Sequence, residues 1–216
     1  MIKKITDPIS ALTHLIGVIL AIPLTVILVT QAARHATIWH VLSFLIFGVA
    51  LILLYTASTV YHMLPISKKA RDVLRRIDHM MIFVLIAGTY TPVCLVPLRG
   101  PWGYSLLALV WAAAIGGILL KALWLDAPRW LSTGIYVGMG WMVLIAFCPL
   151  VRSMSATAVA MLALGGLTYT LGAVIYAAKW PHFHFRLFGF HELFHLFVMG
   201  GSAFHILFMF RYVLAV

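Results

Sequence analysis

The sequence predicts an all-α integral membrane bundle of seven transmembrane helices, and two observations carry that prediction. The first is composition: 64% of the 216 residues are apolar, only 9% are charged and the mean hydropathy is +1.08, far from an ordinary soluble domain. The second is spacing, because apolar runs close to the length that crosses a ~30 Å hydrocarbon layer recur along the chain with short connections between them. No room is left for a separate soluble domain, so residues 1–216 are expected to form a single transmembrane domain. The formal charge of +10 does not indicate nucleic acid. Most basic residues sit between apolar runs, where orientation and anionic membrane lipids account for them.

Taken in order, the opening Met1-Ile2-Lys3-Lys4 and the apolar run after it have the outline of a signal peptide, with small residues for cleavage at 32–36. The run from about Ile9 to Ala33 is too long for that and carries Pro23 at its middle, so it reads as a first span, kinked there. A second span from about Trp39 to Leu64 stops at Pro65. The basic stretch Ser67 to Arg76 belongs in water or at lipid headgroups, and a third span follows from about Ile77 to Leu98, with Pro92 and Pro97 bending its far half. Further spans are expected at about Trp102 to Leu125, Trp130 to Val151, Ala156 to Ala178 and Phe188 to Leu214. No internal repeat is visible, and an odd number of helices argues against a duplicated transporter.

Basic residues then orient the bundle. Eleven of them (Lys3, Lys4, Lys68, Lys69, Arg71, Arg75, Arg76, Lys121, Arg129, Lys179 and Arg186) fall on the side of the N-terminus, and four (Arg34, Arg99, Arg152 and Arg211) fall on the other. This bias puts the N-terminus in the cytoplasm and the C-terminus outside. Trp39 and Trp102 near one boundary, with Trp124, Trp130 and Trp180 near the other, fit interfacial belts.

With the spans threaded, Ser58 and His62 lie in the last turns of the second, Asp78 begins the third, and His191 and His195 occupy the first two turns of the seventh. Two imidazoles four residues apart share one helix face, which suits two ligands of one metal ion. Three neutral imidazoles can hold Zn²⁺ and leave a fourth position open for water, as catalytic zinc sites do. Asp78 would accept a proton from that water or orient it. Ser58, one turn before His62, would donate a hydrogen bond to water or to a substrate carbonyl. Such groups are costly at membrane depth, which favours a shared purpose.

Plainer readings stand beside these. His62 and Asp78 also suit interfacial polar groups flanking a basic loop, and Asp78 could pair with Arg75 or Arg76. His191-Glu192-Leu193-Phe194-His195 has the zincin spelling, in which Glu192 would be the base. A glutamate there also favours a helix N-terminus, the preferred role. His205 lies about 21 Å further along the axis and cannot share the ion. His14 either lines the cavity or is a satisfied buried histidine, and His182 and His184 read as loop residues. Cys94 and Cys148 fall toward the outer helix ends, more as free apolar cysteines than as a disulfide.

Ser58-Thr59-Val60-Tyr61-His62, Asp78 and His191-Glu192-Leu193-Phe194-His195 together resemble the signature of the hemolysin III family, bacterial members of the progestin and adiponectin receptor superfamily. The resemblance implies a seven-helix receptor-like fold in the bacterial plasma membrane. It also implies zinc on His62, His191 and His195, with Ser58 and Asp78 beside the metal's water, and a link to ceramidase-like lipid amide hydrolysis. The longer cytoplasmic extension of the animal receptors is expected to be missing. The leading expectation is therefore a zinc-dependent hydrolase of a lipid amide or ester. The alternatives are a membrane sensor with a structural zinc, a cytolytic protein and, more weakly, an intramembrane zinc protease. Ionisable groups gathered at one end disfavour a channel, and a chain this apolar does not suit a pore former that must first be soluble.

Overall fold

The computed structural model describes residues 6–182 and 188–216. Lys3, Lys4, His184 and Arg186 lie outside the described residues. The chain is all-helical, with no strand among the described residues, and seven segments are long and apolar enough to cross a membrane. They are α1 (Pro8–His35), α2 (Ile38–Met63), α3 (Lys68–Leu95), α4 (Pro101–Leu123), the broken segment Arg129–Ser153, α7 (Ala156–Ala178) and α8 (Phe190–Phe208), the last prolonged by a π-helical turn at Met209–Val213. The broken segment consists of α5 (Arg129–Gly140), a 3₁₀ turn at Met142–Ala146 and α6 (Phe147–Ser153). This is a multi-pass membrane protein.

Each helix turns a stripe inward and leaves the rest to lipid. In α1 the buried residues Ser10, His14, Gly17, Ala21, Thr25, Leu28 and Ala32 recur every three or four positions, while Leu12, Ile19 and Val26 are exposed. In the apolar windows of α3 and α2, 56% and 50% of residues are buried, against 28% for α1 and 17% for α7, so α2 and α3 form the inner wall. Neighbours in sequence pack side by side from α1 to α4, α5 lies against α7, α7 against α8, and α8 against α1 closes the ring.

Close approach of α1 and α2 depends on a missing side chain. A Cβ at Gly48 would fall onto the side chain of Thr25, whose hydroxyl already bonds the Ala21 carbonyl at 2.6 Å. Small residues let membrane helices touch in this way. Gly48→Val should therefore lower the stability of the folded bundle by about 1–3 kcal/mol, the usual range for overpacking, seen as a lower thermal unfolding midpoint in detergent. An unchanged midpoint would show that the contact is not tight.

Two helices depart from the boundaries expected of them. α3 begins at Lys68 rather than near Ile77, because Ser67 caps it by accepting a bond from the Ala70 amide at 3.4 Å. The basic stretch is thus the first turns of the helix rather than a loop. The fifth span is not one helix, since Gly138-Met139-Gly140 supplies two weak helix formers and Tyr90 of α3 takes the freed groups. Its hydroxyl meets the carbonyls of Met139 and Gly140 at 3.0 and 2.7 Å and accepts from the Val143 amide at 2.9 Å. Cys94 is buried, Cys148 is exposed, and neither is in a disulfide.

At the end of the bundle that carries Asp7, chain ends from three helices are tied together. The Asp7 amide bonds the His62 carbonyl at 3.1 Å, joining α1 to α2, and the Ser10 hydroxyl of α1 bonds Glu192 Oε1 of α8 at 2.7 Å. These ties bring the foot of α2 and the head of α8 together.

Candidate metal centre

Three histidines converge there. His62 ends α2, while His191 and His195 occupy successive turns at the start of α8, and one ring nitrogen from each lies within 4.8 Å of the others. Nε2 of His62 and Nε2 of His191 are 3.3 Å apart. Ring centroids stand 5.1 Å apart for His62 and His191, 5.1 Å for His62 and His195, and 4.7 Å for His191 and His195. Three converging imidazoles of this kind can hold a metal ion.

The rings are held from behind. Nδ1 of His62 donates to Asp7 Oδ2 at 3.1 Å, and the same oxygen accepts from Arg71 Nη2 at 3.1 Å. The Asp7 bond places the ring proton on Nδ1 and leaves Nε2 of the neutral ring with a lone pair facing His191. This is the carboxylate–histidine arrangement that orients metal ligands. His195 packs face to face on His14 with centroids 3.8 Å apart, and its Nδ1 lies 3.4 Å from the Thr13 hydroxyl. Asp7 and Thr13 are not singled out by sequence reasoning. The available signal for Asp7 is scarcity: the chain has only five acidic residues, and one of them directly precedes the first apolar run.

Ser58 is buried, and it and Asp78 line a cavity of about 560 Å³ together with His14, His191 and His195. His62 sits behind this wall rather than on it. Asp78 forms no ion pair among the described residues, since Arg75 pairs with Asp126 instead, at 2.7 Å. All five residues singled out in the sequence therefore lie on or just behind the wall of one cavity, though no hydrogen bond joins Asp78 or Ser58 to the three imidazoles.

Glu192 turns away from the cluster. Its Oε2 accepts the Gly189 amide at 2.8 Å and its Oε1 the Ser10 hydroxyl at 2.7 Å, so both oxygens cap α8 and tie it to α1. His205 bonds its own helix at the Gly201 carbonyl, 2.7 Å away, and stacks on Tyr169, apart from the triad. The buried ring nitrogens of His14 have no hydrogen-bond partner among the described residues.

The chain has clear relatives among known proteins. The family model described as "Haemolysin-III related" matches residues 2–206. The chain is 45% identical over 194 residues to the hemolysin-3 homolog of Bacillus subtilis (strain 168), an alignment covering 90% of this chain and 88% of that one. It is 40% identical over 194 residues to hemolysin-3 of Bacillus cereus, covering 90% and 85%. A more distant likeness, 28% over 186 residues covering 81% and 72%, is to the human monocyte to macrophage differentiation factor.

Proposed function

Because this chain belongs to the haemolysin-III-related family of membrane proteins, we propose that it is a zinc-dependent hydrolase of a lipid amide or ester, working at the cytoplasmic end of its helix bundle. The observation that carries the reading is the 3.3 Å separation of Nε2 of His62 from Nε2 of His191. Zinc–nitrogen bonds of about 2.0–2.1 Å in a tetrahedron separate neighbouring ligands by about 3.3 Å. The donor set, three uncharged nitrogens with one ring fixed by a carboxylate, is also one that zinc favours.

His62, His191 and His195 would hold the metal. When bound, zinc supplies electrophilic polarisation of a carbonyl oxygen and acidifies water. The chain's own groups do the rest. The Asp78 carboxylate takes a proton from the attacking water and returns it to the leaving nitrogen or oxygen. The water oxygen bonds to the carbonyl carbon as the C–N or C–O bond breaks, giving a carboxylic acid and an amine or alcohol. Ser58, on the same cavity wall as Asp78, would donate a hydrogen bond to the water or to the substrate carbonyl, and the cavity, walled by residues such as Leu54, Ile82, Leu85 and Phe194, holds acyl chain and excludes bulk water.

The reading is tested by measuring zinc in purified protein and fatty-acid release from N-acyl and O-acyl lipids in mixed micelles. Absence of zinc overturns the site. Zinc without any release favours a sensor in which the metal is structural. Cytolysis, the reading suggested by the names of the two Bacillus relatives, predicts dye leakage from vesicles that is insensitive to Asp78→Asn.

Asp7 acts here as a positioning residue. Asp7→Asn should weaken zinc binding about 10–100-fold, the range seen when a ligand's orienting partner is lost. Competition with a fluorescent chelator reads that affinity. A merely structural role would instead lower the unfolding midpoint of the metal-free protein and leave the affinity unchanged.

A further inference from the structure

The cavity has a second polar pole that the proposed chemistry does not use. Lys121, in the last turn of α4, is 2% exposed and lines the cavity, yet forms no ion pair among the described residues. Asp126, at the cavity's rim with its side chain 82% exposed, is engaged by Arg75 at 2.7 Å rather than by Lys121. Arg129, the first residue of α5, donates to the Tyr176 carbonyl at 3.2 Å and lies over the Tyr176 ring at 4.6 Å, with no carboxylate partner among the described residues. Ser132 and Thr133 follow three and four positions later, on the same helix face. They are 5% and 6% exposed, line the cavity, and have no hydrogen-bond partner for either hydroxyl among the described residues. His79 lines the same cavity as these groups and as His191 and His195.

A buried lysine and two buried hydroxyls without partners are expensive in a membrane protein unless something completes them. The complement they define is an anion with several acceptor oxygens. Arg75, Lys121 and Arg129 set against Asp78 and Asp126 leave one net positive charge, which a phosphodiester monoanion neutralises. Donors from α4 and from two turns of α5 line this one cavity, and a phosphate offers more acceptor oxygens to meet them than a carboxylate does. The pole also lies at the same end of the bundle as the triad, the level at which lipid headgroups sit.

We propose that Lys121, Arg129, Ser132 and Thr133 bind the phosphate of a phospholipid whose acyl chains occupy the cavity. The phosphate site stands on its own observations. Its corollary, that the hydrolysed lipid carries a phosphate, rests on the hydrolase reading above.

The test titrates protein in maltoside detergent, which contains no phosphate, with dihexanoyl-phosphatidylglycerol, inorganic phosphate, laurate and dioctanoylglycerol, following binding by calorimetry. The phosphatidylglycerol should bind saturably, and Lys121→Gln should weaken it at least about tenfold, the loss typical of removing one partner of a buried charged contact. Lys121→Arg should restore most of the affinity. The Ser132→Ala, Thr133→Ala double variant, which removes only two hydroxyls, should weaken binding even if the lysine variant fails to fold. Undiminished affinity in Lys121→Gln and in the double variant overturns the site. Laurate binding as tightly as the phospholipid overturns the phosphate assignment, and inorganic phosphate doing so overturns the lipid source. Binding is read without turnover, so it survives failure of the hydrolase reading. If hydrolysis is observed, Lys121→Gln should raise KM for a phosphate-bearing ester and leave a neutral amide unchanged. Equal effects on both would overturn the corollary alone.

Discussion

Replacing His191 with Ala should remove zinc from the purified protein, from about one ion per chain to a trace, as measured by plasma mass spectrometry. The reason is geometric. Nε2 of His191 is the nitrogen 3.3 Å from Nε2 of His62, and without it two imidazoles from different helices remain. Two ligands hold zinc far more weakly than three, and the lost affinity would also be lost stability, because a metal on this triad would cross-link α2 to α8. The variant should therefore unfold at a lower temperature than zinc-loaded wild type and at nearly the same temperature as chelator-treated wild type. His182→Ala, in the exposed stretch after α7, should keep its zinc. Full zinc in His191→Ala would mean that the ion lies elsewhere.

The second large effect is on turnover. Asp78→Asn preserves the shape of the side chain but removes the basic oxygen, so hydrolysis should fall about 10²–10⁴-fold with zinc still bound. The loss should appear in kcat with little change in KM, since Asp78 is assigned to proton transfer rather than to substrate binding. Full activity in a zinc-replete Asp78→Asn protein would reassign the base. Uniform inactivity of wild type and variant would return attention to the sensor.

Much of the bundle is legible in the amino-acid sequence. Hydrophobic runs mark all seven spans, and the boundaries of α7 at Ala156 and Ala178 match the expected ones. Ser58, His62, Asp78, His191 and His195 stand out because ionisable and polar groups are rare in such a chain, and threading alone brings them to one level. The start of α3 is misplaced by sequence because Lys and Arg are good helix formers with poor hydropathy, and a span is recognised by hydropathy. The break in the fifth span is hidden for the opposite reason. Gly138-Met139-Gly140 is apolar enough to pass for continuous helix, and what opens it is Tyr90, about fifty positions away in the chain.

What the sequence by itself determined is the class of the molecule, its number of spans and the residue types available for chemistry, because the bilayer imposes length and polarity on each segment separately. Only the tertiary structure decided which of those residues meet. Asp7 behind His62, Thr13 beside His195, Glu192 turned to Ser10 rather than to the triad, and Lys121 with Ser132 and Thr133 at a second pole all depend on how helices rotate about their axes. Those rotations are set by packing contacts such as Gly48 on Thr25, which join parts of the chain that hydropathy treats as independent.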